Sequence, residues 1–264
     1  MLFCLLKRRR RRRLAAKPMP DAWRRILERH VAHYAYLDDA EREQLERDVR
    51  IFVAEKYWDG CRGMTITDEV TVAVAGQACL LLLGMTHDYY ANVRTILIYP
   101  RAYMITDYDY GAGGVVHEQD TQVLGQAHHG GPIILSWFDV KRGGQRGADG
   151  TNLVYHEFAH KLDFEDEVGD GTPRLRDRRA HARWVAVMTE AYEDLRDRLA
   201  AGRRTWIDPY AATNPAEFFA VATEVFFEKP VTMRQREPAL YDALCAFYGQ
   251  NPARRVERGP VARR

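Results

Sequence analysis

The 264-residue chain lacks the cysteine pattern of a disulfide framework or of a thiolate metal site. Its four cysteines (Cys4, Cys61, Cys79, Cys245) are scattered and form no CxxC pair, which fits a reducing, cytoplasmic setting. No apolar run reaches the ~20 residues needed to cross a bilayer. A secretory signal is not expected either. Such a signal places its charges before an apolar stretch of ~7–15 residues, whereas here a short apolar start precedes Lys7 and Arg8–Arg13. No internal repeat or long linker divides the chain. A large net charge is also lacking, at +2, but the distribution is uneven. Residues 1–17 hold eight Lys and Arg, and 251–264 hold five Arg with one Glu. That leaves 26 basic against 36 acidic residues over 18–250, a net of −10. A body this acidic argues against direct nucleic-acid binding.

What is present is a helical start, a central strand-rich stretch and a helical second half. Asp21 can cap a helix running through an apolar series at helical spacing (Trp23, Ile26, Leu27, His30, Val31, Tyr34), and a second helix is expected from Asp39 to Tyr57, ended by Asp59-Gly60. Val70–Leu83 is apolar nearly all round and reads as a buried helix. Strands are expected at Thr95–Tyr99, Gly114–His117, Thr121–Gly125 and Pro132–Trp137, separated by the glycine turns 111–114 and 130–131. Lys141–Gly150 reads as a polar, glycine-rich loop. Helices follow at 151–163, about 176–200, 214–228 and near 238–249. The fold class expected is α+β, mainly helical with a small mixed sheet. One domain is expected over 18–250, with the sheet and first helices up to about 140 and a helical half over 151–250. Residues 1–17 read as a basic, disordered tail, or as a segment that touches an anionic membrane or nucleic acid; 251–264 read as a second basic tail.

The strongest chemical signal is His156-Glu157-Phe158-Ala159-His160. Residues four apart share one helix face, so both imidazoles can reach one ion. Glu157, beside the first histidine, is placed to take a proton from an activated water and not to bind the ion. Composition alone produces HExxH in about two chains per hundred, so a third ligand is needed. The pattern HExxHxxGxxH fails, because Asp163 stands at the glycine position and Asp166 at the last histidine. A glutamate on a later helix is the other solution. Asn214 can cap that helix, Pro215 suits its first position, and Glu217 falls in its first turn. Glu217 reads either as the third ligand or as a helix-dipole residue. Glu224, seven residues on, shares its face in a run of Phe, Ala and Val, and needs a partner such as the ion or a bound histidine. Asp163 ends the metal helix, where the dipole disfavours its charge, so it reads as a hydrogen-bond partner of a ligand histidine or as a solvent-exposed group. His128-His129 reads as a polar turn more readily than as a metal contact, and the strand Pro132–Trp137 as a possible edge for an extended substrate.

Ile96–Pro100, Gly131–Trp137, His156–Asp163, Asp208–Ala212 and Asn214–Phe219 together resemble the Mlc titration factor A family, over about residues 20–250. The resemblance implies a zincin-like metallopeptidase of the glutamate-ligand type, related in its catalytic part to the anthrax lethal factor protease. It implies one Zn2+ per chain held by His156, His160 and Glu217, with Glu157 as base. Tyr210 matches a tyrosine that faces the zinc in that group, which implies an oxyanion contact; packing at the helix approach is its other reading. Aminopeptidase activity on a peptide or protein substrate, and binding of a Mlc-type transcriptional repressor, are implied in the same way. A regulatory protein that sequesters a transcription factor, with zinc structural or hydrolysis incidental, is the alternative. The resemblance does not extend to the arginine tract.

Overall fold

The computed structural model describes the backbone of residues 2–101, 103–110, 116–123, 125–127, 131–146 and 148–262. The helices are α1 (Leu2–Ala15), α2 (Asp21–His30), α3 (Asp39–Glu55), α4 (Asp68–Leu82), α5 (Trp137–Arg146), α6 (Leu153–Asp163), α7 (Arg178–Ala200), α8 (Pro215–Glu228), α9 (Pro230–Arg236), α10 (Pro238–Tyr248) and α11 (Pro252–Arg258). The strands are β1 (Tyr57–Gly60), β2 (Thr95–Tyr99), β3 (Tyr103–Tyr110), β4 (Val116–Val123), β5 (Gly125–Ala127) and β6 (Ile133–Ser136). Local chemistry explains many of the boundaries. Asp38 and Glu41 form a reciprocal capping box at the start of α3. Thr67, Asn152, Asp177 and Asn214 cap α4, α6, α7 and α8 with their side chains. Helices α8 to α11 all begin on proline, whose fixed φ and missing N–H suit the first turn.

The sheet is small and mixed, as expected. Its order is β1-β2-β6-β5, with β1, β2 and β6 parallel and β5 antiparallel to β6. β3 and β4 form a separate antiparallel pair. Helix α4 is the hub of the core: every residue from Val70 to Leu82 is buried, and it packs against α2, α3, α5 and α6. Helix α6 lies between α4 and α8 and beside β5 and β6. Its Phe158, fully buried, meets Phe52 and Tyr90 edge-on at centroid distances of 5.7 and 4.7 Å. Burying such a ring contributes about 1.5–3 kcal/mol, so α6 is held by its apolar side while its histidines point elsewhere.

Several expectations need correction. Residues 1–17 are not a free tail: α1 docks on α3, with Arg11 forked on Glu55 (2.7 Å twice) and paired with Asp88. The expected C-terminal tail contains α11, whose Arg255 is buried against Glu41 (2.6 Å) and Gln250 (2.8 Å). Opposite charges on the acidic body draw both basic ends in. The loop expected at Lys141–Gly150 is helical up to Arg146, because its glycines serve close packing and not a turn. A Cβ on Gly144 would sit 2.1 Å from the carbonyl oxygen of His30. Asp59-Gly60 lies in β1 and does not end α3. The strands expected at Gly114–His117 and Thr121–Gly125 share one strand, β4, over 116–123, and Gly125 begins β5. β6 is no edge, since β2 and β5 flank it; the edge beside α6 is β5. The turn 111–114, Gly130 and the pair His128-His129 lie outside the described residues.

Helix α8 also sets a pH limit on the fold. His33 is 3% exposed and its Nε2 meets the carbonyl oxygen of Phe227 at the end of α8. Burial pushes its imidazole down from 6.5 to about 4. The folded state keeps His33 neutral where the unfolded chain is already protonated, so stability is lost as pH falls from 6.5 towards 4, by on the order of 3 kcal/mol. The change in stability between pH 7.5 and 4.5, measured by urea unfolding, should be less favourable in the wild type by that amount than in His33→Gln, which keeps a donor for Phe227 and has no proton to gain.

Candidate metal centre

The centre forms where α6 meets the first turn of α8. The Asn152 side chain accepts from the Tyr155 amide (3.1 Å), opening α6 so that His156 and His160 fall on one face, one turn apart. The Asn214 side chain accepts from the Glu217 amide (2.9 Å), which holds Glu217 in the first turn of α8 with its side chain free to reach across. The structure brings these three residues together. His156 Nε2 and His160 Nε2 are 3.2 Å apart, and Glu217 Oε2 lies 3.0 Å from the first and 3.4 Å from the second. Among the described residues they are the one group of three or more possible ligands gathered this closely.

These distances fit a cation better than a hydrogen-bond network. A tetrahedral ion with bonds of about 2.0–2.1 Å spaces its ligand atoms about 3.4 Å apart. Glu217 Oε2 is buried and, close as it is to both imidazoles, has hydrogen-bond geometry to neither. The donor set, two imidazoles and a carboxylate, suits zinc. Burial raises the Glu217 carboxyl, but the two imidazoles outweigh it and hold the group well below the usual carboxylate range. Burial likewise disfavours charge on His156, yet Glu217 and Glu224 hold its imidazole well above the usual range. The cluster is electrostatically prepared for positive charge at its centre.

Glu224 supplies the orientation. Its Oε1 lies 2.8 Å from His156 Nδ1, and its other oxygen accepts from the backbone N–H of Asn152. With a proton on Nδ1, the Nε2 lone pair of His156 faces Glu217 and His160. Asn152 also donates to Glu228 (3.3 Å), so α6 and α8 are tied twice beside the centre. Asp163 is fully buried, which removes the solvent-exposed reading, and it accepts from the Gly171 amide (2.8 Å). Gly171 has φ +83°, and a Cβ there would sit 2.4 Å from the carbonyl oxygen of Pro215, so this turn passes tightly behind the start of α8.

Glu157 is 2% exposed, and its Oε2 has no hydrogen-bond partner among the described residues. Burial raises its carboxyl from 4.5 to about 7, against the pull of His156 and Lys161. A carboxyl poised there can both accept and return a proton at neutral pH. Tyr210 sits in a 3-10 turn, Pro209–Ala212, capped by Asp208 and leading towards α8. It is 53% exposed, and its ring centroid is 6.1 Å from that of His156. Desolvation and the carboxylates of Glu217 and Glu157 push its hydroxyl up to about 12, so it remains a proton donor.

Sequence reasoning gave no role to Lys161 or Asn152. Lys161, 2% exposed, reaches the carbonyl oxygen of Gly131 with Nζ (3.3 Å), and its own carbonyl accepts from Asn92 (2.7 Å). It lies one turn after Glu157, a spacing that the sequence already displays. Asn152 could have been found as a cap four residues before His156.

The sequence pattern of the glucose-regulated metallo-peptidase M90 family matches residues 5–249. The protein slr2042 of Synechocystis sp. is 37% identical over 244 residues, 92% of this chain and 89% of that one. Mlc titration factor A of Cronobacter sakazakii is 33% identical over 245 residues (92% and 90% of the two chains), and that of Klebsiella pneumoniae 34% over 229 residues (85% of each). Among the described residues no helix is long and apolar enough to cross a membrane. With a match along nearly the whole chain and a His-His-Glu centre within it, this chain belongs to the M90 family of metallopeptidases.

Proposed function

We propose that the chain is a zinc-dependent peptidase acting in the cytoplasm, with an aminopeptidase-like preference, whose single ion is held by His156, His160 and Glu217. The observation that carries the reading is the convergence of three ligand atoms beside a buried carboxyl with a free oxygen. A zinc ion there supplies a Lewis acid for the scissile carbonyl and makes water acidic enough to attack at neutral pH. Glu157 accepts the proton of the attacking water and passes it to the leaving amine. Tyr210 donates from its hydroxyl to the oxygen that gains negative charge. Glu224 keeps His156 in one tautomer and one orientation throughout. The catalytic unit is one domain over 18–250, extended at both ends by the helices that pack on it.

Removal of the ion by a chelator such as 1,10-phenanthroline should reduce hydrolysis of aminoacyl and peptide reporters to background. Stoichiometric Zn2+ should restore it, with one ion per chain at full recovery. Undiminished hydrolysis by protein shown to be metal-free would sink the proposal.

The name of the enterobacterial relatives favours a second reading, in which this chain binds and titrates a Mlc-type repressor. Repressor binding that persists in Glu157→Gln, a variant without hydrolysis, and is abolished by surface changes away from the centre would assign that role to a separate surface.

A further inference from the structure

Helix α1 sorts its basic residues by their position around the helix. Lys7, Arg10 and Arg11 face the body: Lys7 pairs with Asp88 (2.9 Å), Arg10 donates to the carbonyl oxygen of Ala54 (2.7 Å), and Arg11 joins Glu55 and Asp88 while lying over the Tyr89 ring (4.4 Å). At the far end, Arg50 donates to the carbonyl oxygen of Ala15 (2.9 Å). The helix is therefore fixed on the body along one side. Arg8, Arg9, Arg12 and Arg13 are exposed and form no ion pair among the described residues. Leu5 and Leu6, 58% and 56% exposed, stand on the same outer side, one turn before the arginines.

We infer that the outer side of α1 docks the chain on an anionic lipid bilayer, with Leu5 and Leu6 entering the headgroup boundary and Arg8, Arg9, Arg12 and Arg13 pairing with lipid phosphates. Charge complementarity points to a polyanionic surface, and the leucines point to lipid, since a nucleic-acid backbone offers them nothing to enter. The acidic body repels any polyanion, but at physiological salt that repulsion fades beyond about 8 Å, and α1 is an outer layer. With 14 residues the helix lies on the surface and does not cross it. Two exposed leucines and four arginines make a weak, reversible anchor that depends on both signals.

The test is cosedimentation of the full-length chain with vesicles of phosphatidylcholine alone or with 30% phosphatidylglycerol added. Binding is expected only to the anionic vesicles, falling steeply between 50 and 300 mM salt. Each surface arginine adds about fivefold, so Arg8→Gln/Arg9→Gln/Arg12→Gln/Arg13→Gln should lower partitioning more than ~100-fold. Leu5→Ser/Leu6→Ser should lower it about tenfold or more. Both variants change solvent-facing side chains, and unaltered thermal unfolding confirms that α1 and the body are intact. Absence of wild-type binding to anionic vesicles overturns the inference, as does binding that survives the arginine changes. Tighter binding to a labelled 20-nucleotide RNA, indifferent to the leucine changes, overturns it in favour of nucleic acid.

Discussion

Glu157→Gln should lower kcat by about 10^3, within the 10^2–10^4 that general acid–base catalysis contributes, while the protein still carries one zinc per chain. That loss corresponds to about 4 kcal/mol of transition-state stabilisation. The substitution keeps the shape of a side chain that is 2% exposed and whose Oε2 makes no hydrogen bond among the described residues, so metal content separates lost chemistry from a lost site. Stability should move the other way. Burial raises this carboxyl from 4.5 to about 7. In the metal-free protein its charge therefore opposes folding increasingly as pH rises through that interval, by about 3 kcal/mol once it is fully ionised. Glutamine has no charge to bury, so the chelated variant at pH 8 should unfold at a higher denaturant midpoint than the chelated wild type. A variant that keeps its activity, or that is inactive because it is empty of zinc, contradicts the assignment of Glu157.

Glu217→Ala should weaken zinc binding by more than about 100-fold, since loss of a residue that only supports a ligand already costs 10–100-fold. Competition with a chromophoric chelator measures this directly, and hydrolysis should fall in proportion to the zinc lost. His156 and His160 alone leave two imidazole nitrogens 3.2 Å apart with no carboxylate to balance the ion. Glu217→Asp is the informative companion. It keeps the charge and the first-turn position but is one methylene too short to reach both imidazoles, so it should bind zinc between the two extremes. Wild-type affinity in Glu217→Ala would reduce Glu217 to the helix-dipole residue that its place in the first turn also permits.

The legible parts of the molecule were those in which local spacing and tertiary role coincide. His156 and His160 are four apart on a helix, and the sequence displays that directly. Glu217 was legible as a position, through Asn214 and Pro215, but its approach to the histidines depends on how α8 crosses α6, a matter of packing. Glu224 could be flagged as a carboxylate in an apolar run; that His156 is its partner could only be offered as one option. The glycines of α5 misled, because composition cannot tell a glycine that turns the chain from one that lets a neighbour approach. The arginine tract misled for a related reason: repelling charges suggest a solvated tail, but Glu55 and Asp88, far along the sequence, make a helix of it. β3 went unnoticed, its alternation masked by charged residues, and the edge position of β5 is a property of strand order that no single segment carries.

The double tie between Asn152 and α8 bears on how the metal is acquired. Through its backbone and its side chain this residue grips Glu224 and Glu228, and the core around α4, α6 and α8 is apolar and independent of the ligands. Small zinc domains stay unfolded until the ion arrives, because nothing else assembles their ligands. Here the ligands are already in register, so little ordering entropy remains to be lost on binding. Loading can follow folding, and an ion can leave and return without the chain coming apart. On the function proposed above, metal supply would therefore act as a reversible control of activity and not as a condition of folding.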